Sequence, residues 1–228
     1  MIPWLAHLYT ALGTGTALAA ALATFAGNFR EAFIWLALAV LIDGTDGVLA
    51  RALRVKERLP FFDGARLDDI IDYQTYVFVP VLLMLRAELL PPGWGVGVGL
   101  AILLASAYGF SRTDAKIAAG DYFFTGFPSY WNIVALYLYV WRLPRAWAAF
   151  VLLVFVALVF VPIRYVYPSR TVAWRGLTTA LGAAWGALML WTIWRLPAID
   201  GPWAMLSLVF PVYYTALSLW LSSQIRRA

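Results

Sequence analysis

The sequence predicts an all-α, polytopic membrane protein with about eight transmembrane helices, and three observations carry that class. Hydrophobic residues make up 63% of the 228 and charged residues only 13%, where a soluble domain has about 45–50% apolar and about 25% charged residues. The apolar residues fall in runs of about 20, the length a helix needs to cross a hydrocarbon core. The intervals between runs are short, and the 17 Lys and Arg residues lie mostly in them or at the run ends. An ordinary soluble globular protein is excluded.

Breaks at proline, glycine and charge clusters mark eight spans in order. Thr10 to Ala26 ends at Gly27, and Glu31 to Leu53 ends among Arg51 and Arg54. Leu67 to Leu85 stops at Arg86, and Gly93 to Phe110 follows the Pro91–Pro92 pair and stops before Arg112. Phe127 to Trp141 closes at Arg142 and Pro144, and Ala146 to Arg164 covers the next run. Trp174 to Arg195 precedes Pro197, and Trp203 to Ser223 follows Gly201 and Pro202.

Charge then orients the spans. With the N-terminus inside, the inner segments hold Arg51, Arg54, Lys56, Arg58, Arg66, Arg112, Lys116, Arg164, Arg170, Arg175, Arg226 and Arg227. The outer segments hold Arg30, Arg86, Arg142, Arg145 and Arg195. This bias places both termini on the cytoplasmic side. The basic residues form no continuous stripe, so the net charge of +5 reports topology and not nucleic-acid binding. No cysteine is present, which removes disulfides, thiolate metal sites and Cys nucleophiles. Met1 to Thr10 lacks the positive start of a signal peptide, so the first span is expected to be retained. The longest polar interval, from about Arg54 to Arg66, is too short to separate domains, and residues 1–228 read as one membrane domain. The run Gly93 to Gly99 has no strand before it, so its glycines suit helix packing better than a nucleotide loop.

The acidic residues are distributed differently. Seven of the 12 lie between Asp43 and Asp72, namely Asp43, Asp46, Glu57, Asp63, Asp68, Asp69 and Asp72. Asp43 and Asp46 are spaced i and i+3, and Asp68 and Asp72 i and i+4, so each pair shares one helical face. Two neighbouring helices thus present four carboxylates. Unpaired, each costs about 2.5–3.5 kcal/mol at mid-bilayer, and like charges repel. A pair of hard divalent cations, Mg²⁺ or Mn²⁺, meets that need and suits phosphoryl transfer. The competing reading, interfacial carboxylates paired with Arg51, Arg54, Lys56 and Arg66, leaves the paired spacings unexplained.

From Asp43 to Asp72 the residues read D-x2-D-G-x2-A-R-x12-G-x3-D-x3-D. This resembles the signature of the CDP-alcohol phosphotransferases, fixing Asp43, Asp46, Gly47, Ala50, Arg51, Gly64, Asp68 and Asp72. The resemblance implies a membrane enzyme that moves a substituted phosphate from a CDP-linked donor to an alcohol, releases CMP and needs Mg²⁺ or Mn²⁺. Most of that family has about eight residues between the Arg and the Gly, where Arg51 and Gly64 here are separated by 12. The longer spacer is similar to that of a subgroup with eight spans, the bacterial phosphatidylcholine synthases. Their donor is CDP-diacylglycerol and their acceptor choline. The segments AHLYTALGT, VKERLPFFDGARLDDIIDYQTYVFVP, DYFFTGFPSYWN and VPIRYVYP also look like that subgroup, so the resemblance covers most of the chain.

The resemblance assigns Asp43, Asp46, Asp68 and Asp72 to two metal ions and makes Asp72 the candidate base. Gly47 and Ala50 leave room for cytidine, Arg51 can hold phosphate through its planar fork, and Gly64 belongs to the nucleotide region or to the turn into the third helix. Choline carries a quaternary ammonium, which calls for aromatic rings. Tyr76, one turn beyond Asp72, and Tyr122, Phe123 and Trp131 are the candidates, with Tyr130 beside them. Asp114 and Asp121 could offset the ammonium charge, and Arg112, Lys116 and Arg164 could hold lipid phosphate. His7, the one histidine, reads as a hydrogen-bonded structural residue. The expected setting is a bacterial inner membrane, with membrane lipid around the chain and the site facing the cytoplasm. The sequence leaves the oligomeric state open, a homodimer included. A synthase for another head group, or a cation-coupled transporter, is the alternative, though a transporter has no need of Gly47, Ala50 and Arg51.

Overall fold

The apolar runs fold as helices, and the glycines, prolines and charges between them mark where each ends. The computed structural model describes residues 2–112, 116–119, 121–167, 171, 173–198 and 201–225. The first half contains α1 (Ile2–Phe25), α2 (Phe29–Ala52), α3 (Val55–Arg58), α4 (Gly64–Asp72), a π-helical stretch (Tyr73–Phe78), α5 (Val79–Arg86) and α6 (Gly95–Ser111). The second half contains α7 (Trp131–Trp141), α8 (Arg145–Phe160), α9 (Arg175–Arg195), α10 (Gly201–Leu206) and α11 (Val209–Ile225).

Among the described residues, Ile2–Phe25, Phe29–Ala52, Arg175–Arg195 and Pro202–Gln224 are each long and apolar enough to cross a membrane. Their outward faces carry large exposed apolar side chains, such as Leu5, Leu8, Leu12, Leu18 and Leu22 on α1. A soluble protein rarely tolerates so continuous a patch, and a lipid-facing helix requires it. The protein is a helical membrane protein.

Several spans differ from the sequence expectation for identifiable reasons. The first helix begins at Ile2, because nothing after Pro3 breaks it, and proline is tolerated in a first turn. The third span runs unbroken from Gly64 to Arg86 as α4, the π stretch and α5. The fifth is helical only from Trp131. Before it, Gly126 takes a left-handed φ of 84° and packs its Cα against the Val159 carbonyl, where no side chain fits. The eighth divides into α10 and α11, since Pro211 has no N–H to offer the carbonyl of Ser207.

A three-stranded antiparallel sheet was not anticipated. It consists of β1 (Lys116–Ala119), β2 (Asp121–Thr125) and β3 (Arg164–Val166), in the order β1-β2-β3. Phe123 pairs with Val166, and Thr125 with Arg164. Aromatic and β-branched residues favour that conformation. The free edge of β3 is closed by α11, where Ser218 and Ser222 accept hydrogen bonds from the Val166 and Arg164 N–H groups at 3.0 and 3.2 Å.

The helices pack through small residues. Ala17, Ala20, Ala23, Ala32 and Ala39 are buried between α1, α2 and their neighbours, allowing close approach without a hydrophobic driving force. Gly95 and Gly99 act likewise, facing Leu90 and Val81 where a Cβ would come to 2.8 and 3.0 Å. Val77, Leu83, Met84, Ile102, Trp131 and Leu152 form the centre of the core.

Candidate active site

The functional side chains are set by three helices. Asp43 and Asp46 project from one face of α2, and Asp68 and Asp72 from one face of α4. α1 packs against both helices, and Gly13 lets it approach until a Cβ there would come to 2.5 Å from Ile71. Asp43, Asp46, Asp68 and Asp72 line one narrow cleft together with Thr10, Gly13 and Thr75. Within it, carboxylate oxygens of Asp43, Asp68 and Asp72 all lie within 4.8 Å of one another.

Each carboxylate of α2 accepts a hydroxyl from another helix. Thr10 Oγ1 donates to Asp46 Oδ2 at 2.7 Å, and the Tyr76 hydroxyl donates to Asp43 Oδ2 at 2.6 Å. Charge-assisted bonds of this length are strong and fix the carboxylate plane. Tyr76 reaches Asp43 from the π stretch, a form of helix that recurs at functional sites. The stretch is tied to α6 by the Tyr73 hydroxyl, which donates to the Leu103 carbonyl at 2.9 Å. Asp69, next to Asp68 in sequence, does not line the cleft.

The remaining motif residues sit around the cleft. Arg51 folds back over Gly47, its Nη1 lying 3.2 Å from where a Cβ at position 47 would be. Ala50 is half-buried on the same helix. Gly64 opens α4, whose start is capped by Asp63 accepting from the Arg66 N–H at 3.1 Å. Gly64 lies directly against the His7 ring. His7 itself is buried among Trp4 and Phe62, and its Nε2 has no hydrogen-bond partner among the described residues, so packing holds that side of the ring where the sequence suggested a hydrogen bond.

Two aromatic candidates lie elsewhere. Trp131 is wholly buried, with its ring against Phe127 and Phe155 and its indole N–H donating to Ser106 Oγ at 2.7 Å. An indole in an apolar interior must find an acceptor, and this one finds it in the core. Phe123 is buried against Val166 and Leu217 beneath the sheet. The side chains of Tyr122, Lys116 and Asp121, and all of Asp114, lie outside the described residues. Arg112 is positioned over the Tyr108 ring at 5.9 Å, and Arg164 enters the sheet. Burial raises the Tyr165 phenol above its ordinary value, so it is neutral at physiological pH.

Sequence reasoning missed Thr10 and Tyr214, whereas Tyr130 stood among the aromatic candidates of the sequence. The Tyr76 and Tyr130 rings are 6.1 Å apart, and the Tyr214 phenol, which donates to the Val166 carbonyl at 3.0 Å, lies close to Tyr130. Thr10 lies in a segment whose resemblance was noted without a role, while nothing local marks Tyr214.

Fold and site together define a helical membrane enzyme with a carboxylate centre opening between its first three spans. No family model matches the chain. The phosphatidylcholine synthase of Pseudomonas aeruginosa is 36% identical over 225 residues, covering 97% of this chain and 92% of that protein. Those of Bradyrhizobium diazoefficiens and Legionella pneumophila are 37% and 34% identical, covering 95% of this chain in each case and 78% and 87% of the relatives. The chain belongs to the phosphatidylcholine synthase family, and is a transferase of phospholipid biosynthesis.

Proposed function

We propose that the chain transfers the phosphatidyl group of CDP-diacylglycerol to choline. The family membership supports the product, and the convergence of Asp43, Asp68 and Asp72 supports the chemistry. The choline hydroxyl oxygen bonds to the phosphatidyl phosphorus as the bond from that phosphorus to the CMP oxygen breaks. The hydroxyl proton passes to Asp72, and CMP leaves.

Three carboxylates within 4.8 Å repel one another in a site walled by apolar helices, and all-oxygen donors of this charge fit hard divalent cations. Asp43, Asp68 and Asp72, with Asp46 beside them, would hold two Mg²⁺ or Mn²⁺ ions. Bound there, such ions would neutralise the diphosphate and make its phosphorus more electrophilic. Gly47 and Ala50 give the nucleotide access to the α2 backbone, and Arg51 pairs with phosphate once it swings from Gly47. Gly64 acts through packing, as its contact with His7 indicates.

The same reading places the chain as one domain in a bacterial inner membrane. α1, α2, the helix from α4 to α5, α6, α7, α8, α9 and the α10–α11 pair would make eight crossings, with both termini and the cleft on the cytoplasmic side, where soluble choline and CMP are. α7, too short alone at 11 residues, would be completed by the extended segment leading into it. Purified protein incubated with CDP-diacylglycerol, Mn²⁺ and a panel of alcohols tests the reaction. Phosphatidylcholine and CMP should form together only when choline is present. A lipid product from another alcohol alone, or no CMP at all, overturns the reading.

A further inference from the structure

Phenol rings collect on one side of the carboxylates, supplied by segments far apart in the chain. Tyr76 comes from the π stretch, Tyr130 from the residue before α7 and Tyr214 from α11. Tyr130 is aimed by its neighbours. Ser106 Oγ on α6, itself wholly buried, accepts from Ser129 Oγ at 3.1 Å and from the Trp131 indole at 2.7 Å. With residues 129 and 131 anchored on α6, the ring between them packs beside Tyr76, in the field of both Asp43 and Asp72.

Two of the hydroxyls in this group are already engaged: Tyr76 donates to Asp43, and Tyr214 donates to the Val166 carbonyl at 3.0 Å, with the Tyr130 phenol close beside it. Tyr165, stacked on Tyr214 at 6.3 Å, supports it from the sheet. Tyr130 and Tyr214 keep part of their surface exposed, unlike Trp131 and Phe123, while Tyr76 is buried and backs them from its bond to Asp43. What this corner offers a ligand is ring surface next to negative charge, with few free donors.

We propose that Tyr76, Tyr130 and Tyr214 form the seat for the quaternary ammonium of the acceptor alcohol, an inference that rests on the choline reading above. A trimethylammonium group donates no hydrogen bonds, so it loses little on leaving water for ring faces and gains their quadrupole attraction. A primary ammonium must abandon hydrogen bonds that the rings replace poorly. The seat therefore selects choline over ethanolamine through engaged hydroxyls and available faces.

The test measures the choline KM, the CDP-diacylglycerol KM and competitive inhibition by tetramethylammonium in the purified full-length protein. Tyr130→Leu and Tyr214→Leu should each raise the choline KM and the tetramethylammonium inhibition constant roughly tenfold, with the donor KM little changed. Tyr130→Phe and Tyr214→Phe, which keep the ring, should rescue most of that loss. Phenylalanines of increasing fluorination at position 130 keep the shape and weaken the ring quadrupole, so the choline KM should rise stepwise even where a Leu variant fails to fold. A flat response along that series, or Phe variants as impaired as the Leu ones, overturns the seat. A parent protein that makes no phosphatidylcholine overturns the underlying reading instead.

Discussion

Gly64 lies so close to the imidazole of His7 that a methyl group at position 64 would come to 2.7 Å from Cε1. The ring has little freedom to yield, being buried between Trp4 at 5.8 Å and Phe62 at 4.4 Å. The bare Cα of Gly64 thus sets how near the start of α4 sits to α1, and so where Asp68, one turn on, enters the cleft. Gly64→Ala should cost about 1–3 kcal/mol in stability as an overpacked contact and slow turnover roughly tenfold. His7→Ala in the same chain makes room and should recover most of the lost rate. Measured turnover of the single and double variants decides it, and a double variant no faster than Gly64→Ala alone would assign the glycine another role.

The two carboxylates of α2 each depend on a hydroxyl from elsewhere, Asp46 on Thr10 and Asp43 on Tyr76. Partners that orient ligands typically tune metal affinity by about 10–100-fold. Thr10→Val keeps the shape and removes the donor, so the Mn²⁺ concentration for half-maximal activity should rise by about that factor. Tyr76→Phe should do the same through Asp43. Calorimetric titration of Mn²⁺ into each variant gives a second reading independent of turnover, and unchanged affinity in both would show that the hydroxyls do not orient the site.

The carboxylates were legible from the sequence because their geometry is local. Spacings of three and four residues place Asp43 with Asp46 and Asp68 with Asp72 whatever the rest of the chain does. The partners were not, because Thr10 meets Asp46 across 36 residues and Tyr214 meets Tyr130 only after α11 folds back past the sheet. Trp131 misled for a related reason. An aromatic next to a candidate segment reads alike whether it faces a cleft or the core, and only Ser106, from α6, decides which. Helix lengths were lost where backbone conformation overrides hydropathy, at Gly126 with its left-handed φ and at Pro211.

Charge, not bulk, should be what the four cleft carboxylates contribute. Asn at position 43, 46, 68 or 72 removes one negative charge with almost no change in volume, so each variant should insert and fold yet lose essentially all turnover. Asp69, outside the cleft, is the internal comparison. Asp69→Asn should keep most of the activity. Equal damage at Asp68 and Asp69 would mean that net charge of the α4 region, and not one helical face, is what the reaction needs.

The sidedness proposed for the cleft rests on the basic residues around it. Arg51, Arg54, Lys56, Arg58 and Arg66 all fall between the carboxylate pairs of α2 and α4, and such clusters stay on the cytoplasmic side during insertion. The exposed Lys56 on α3 should mark the cytoplasmic side, and Trp147, near the start of α8, the other. Because the chain has no cysteine, single Cys residues can be introduced without removing any. Lys56→Cys should resist an impermeant thiol reagent in intact cells and react once the membrane is opened, while Trp147→Cys should react in both. Labelling of position 56 in intact cells would invert the orientation and put choline delivery and CMP release on the outer face, where neither the charge pattern nor the reaction places them.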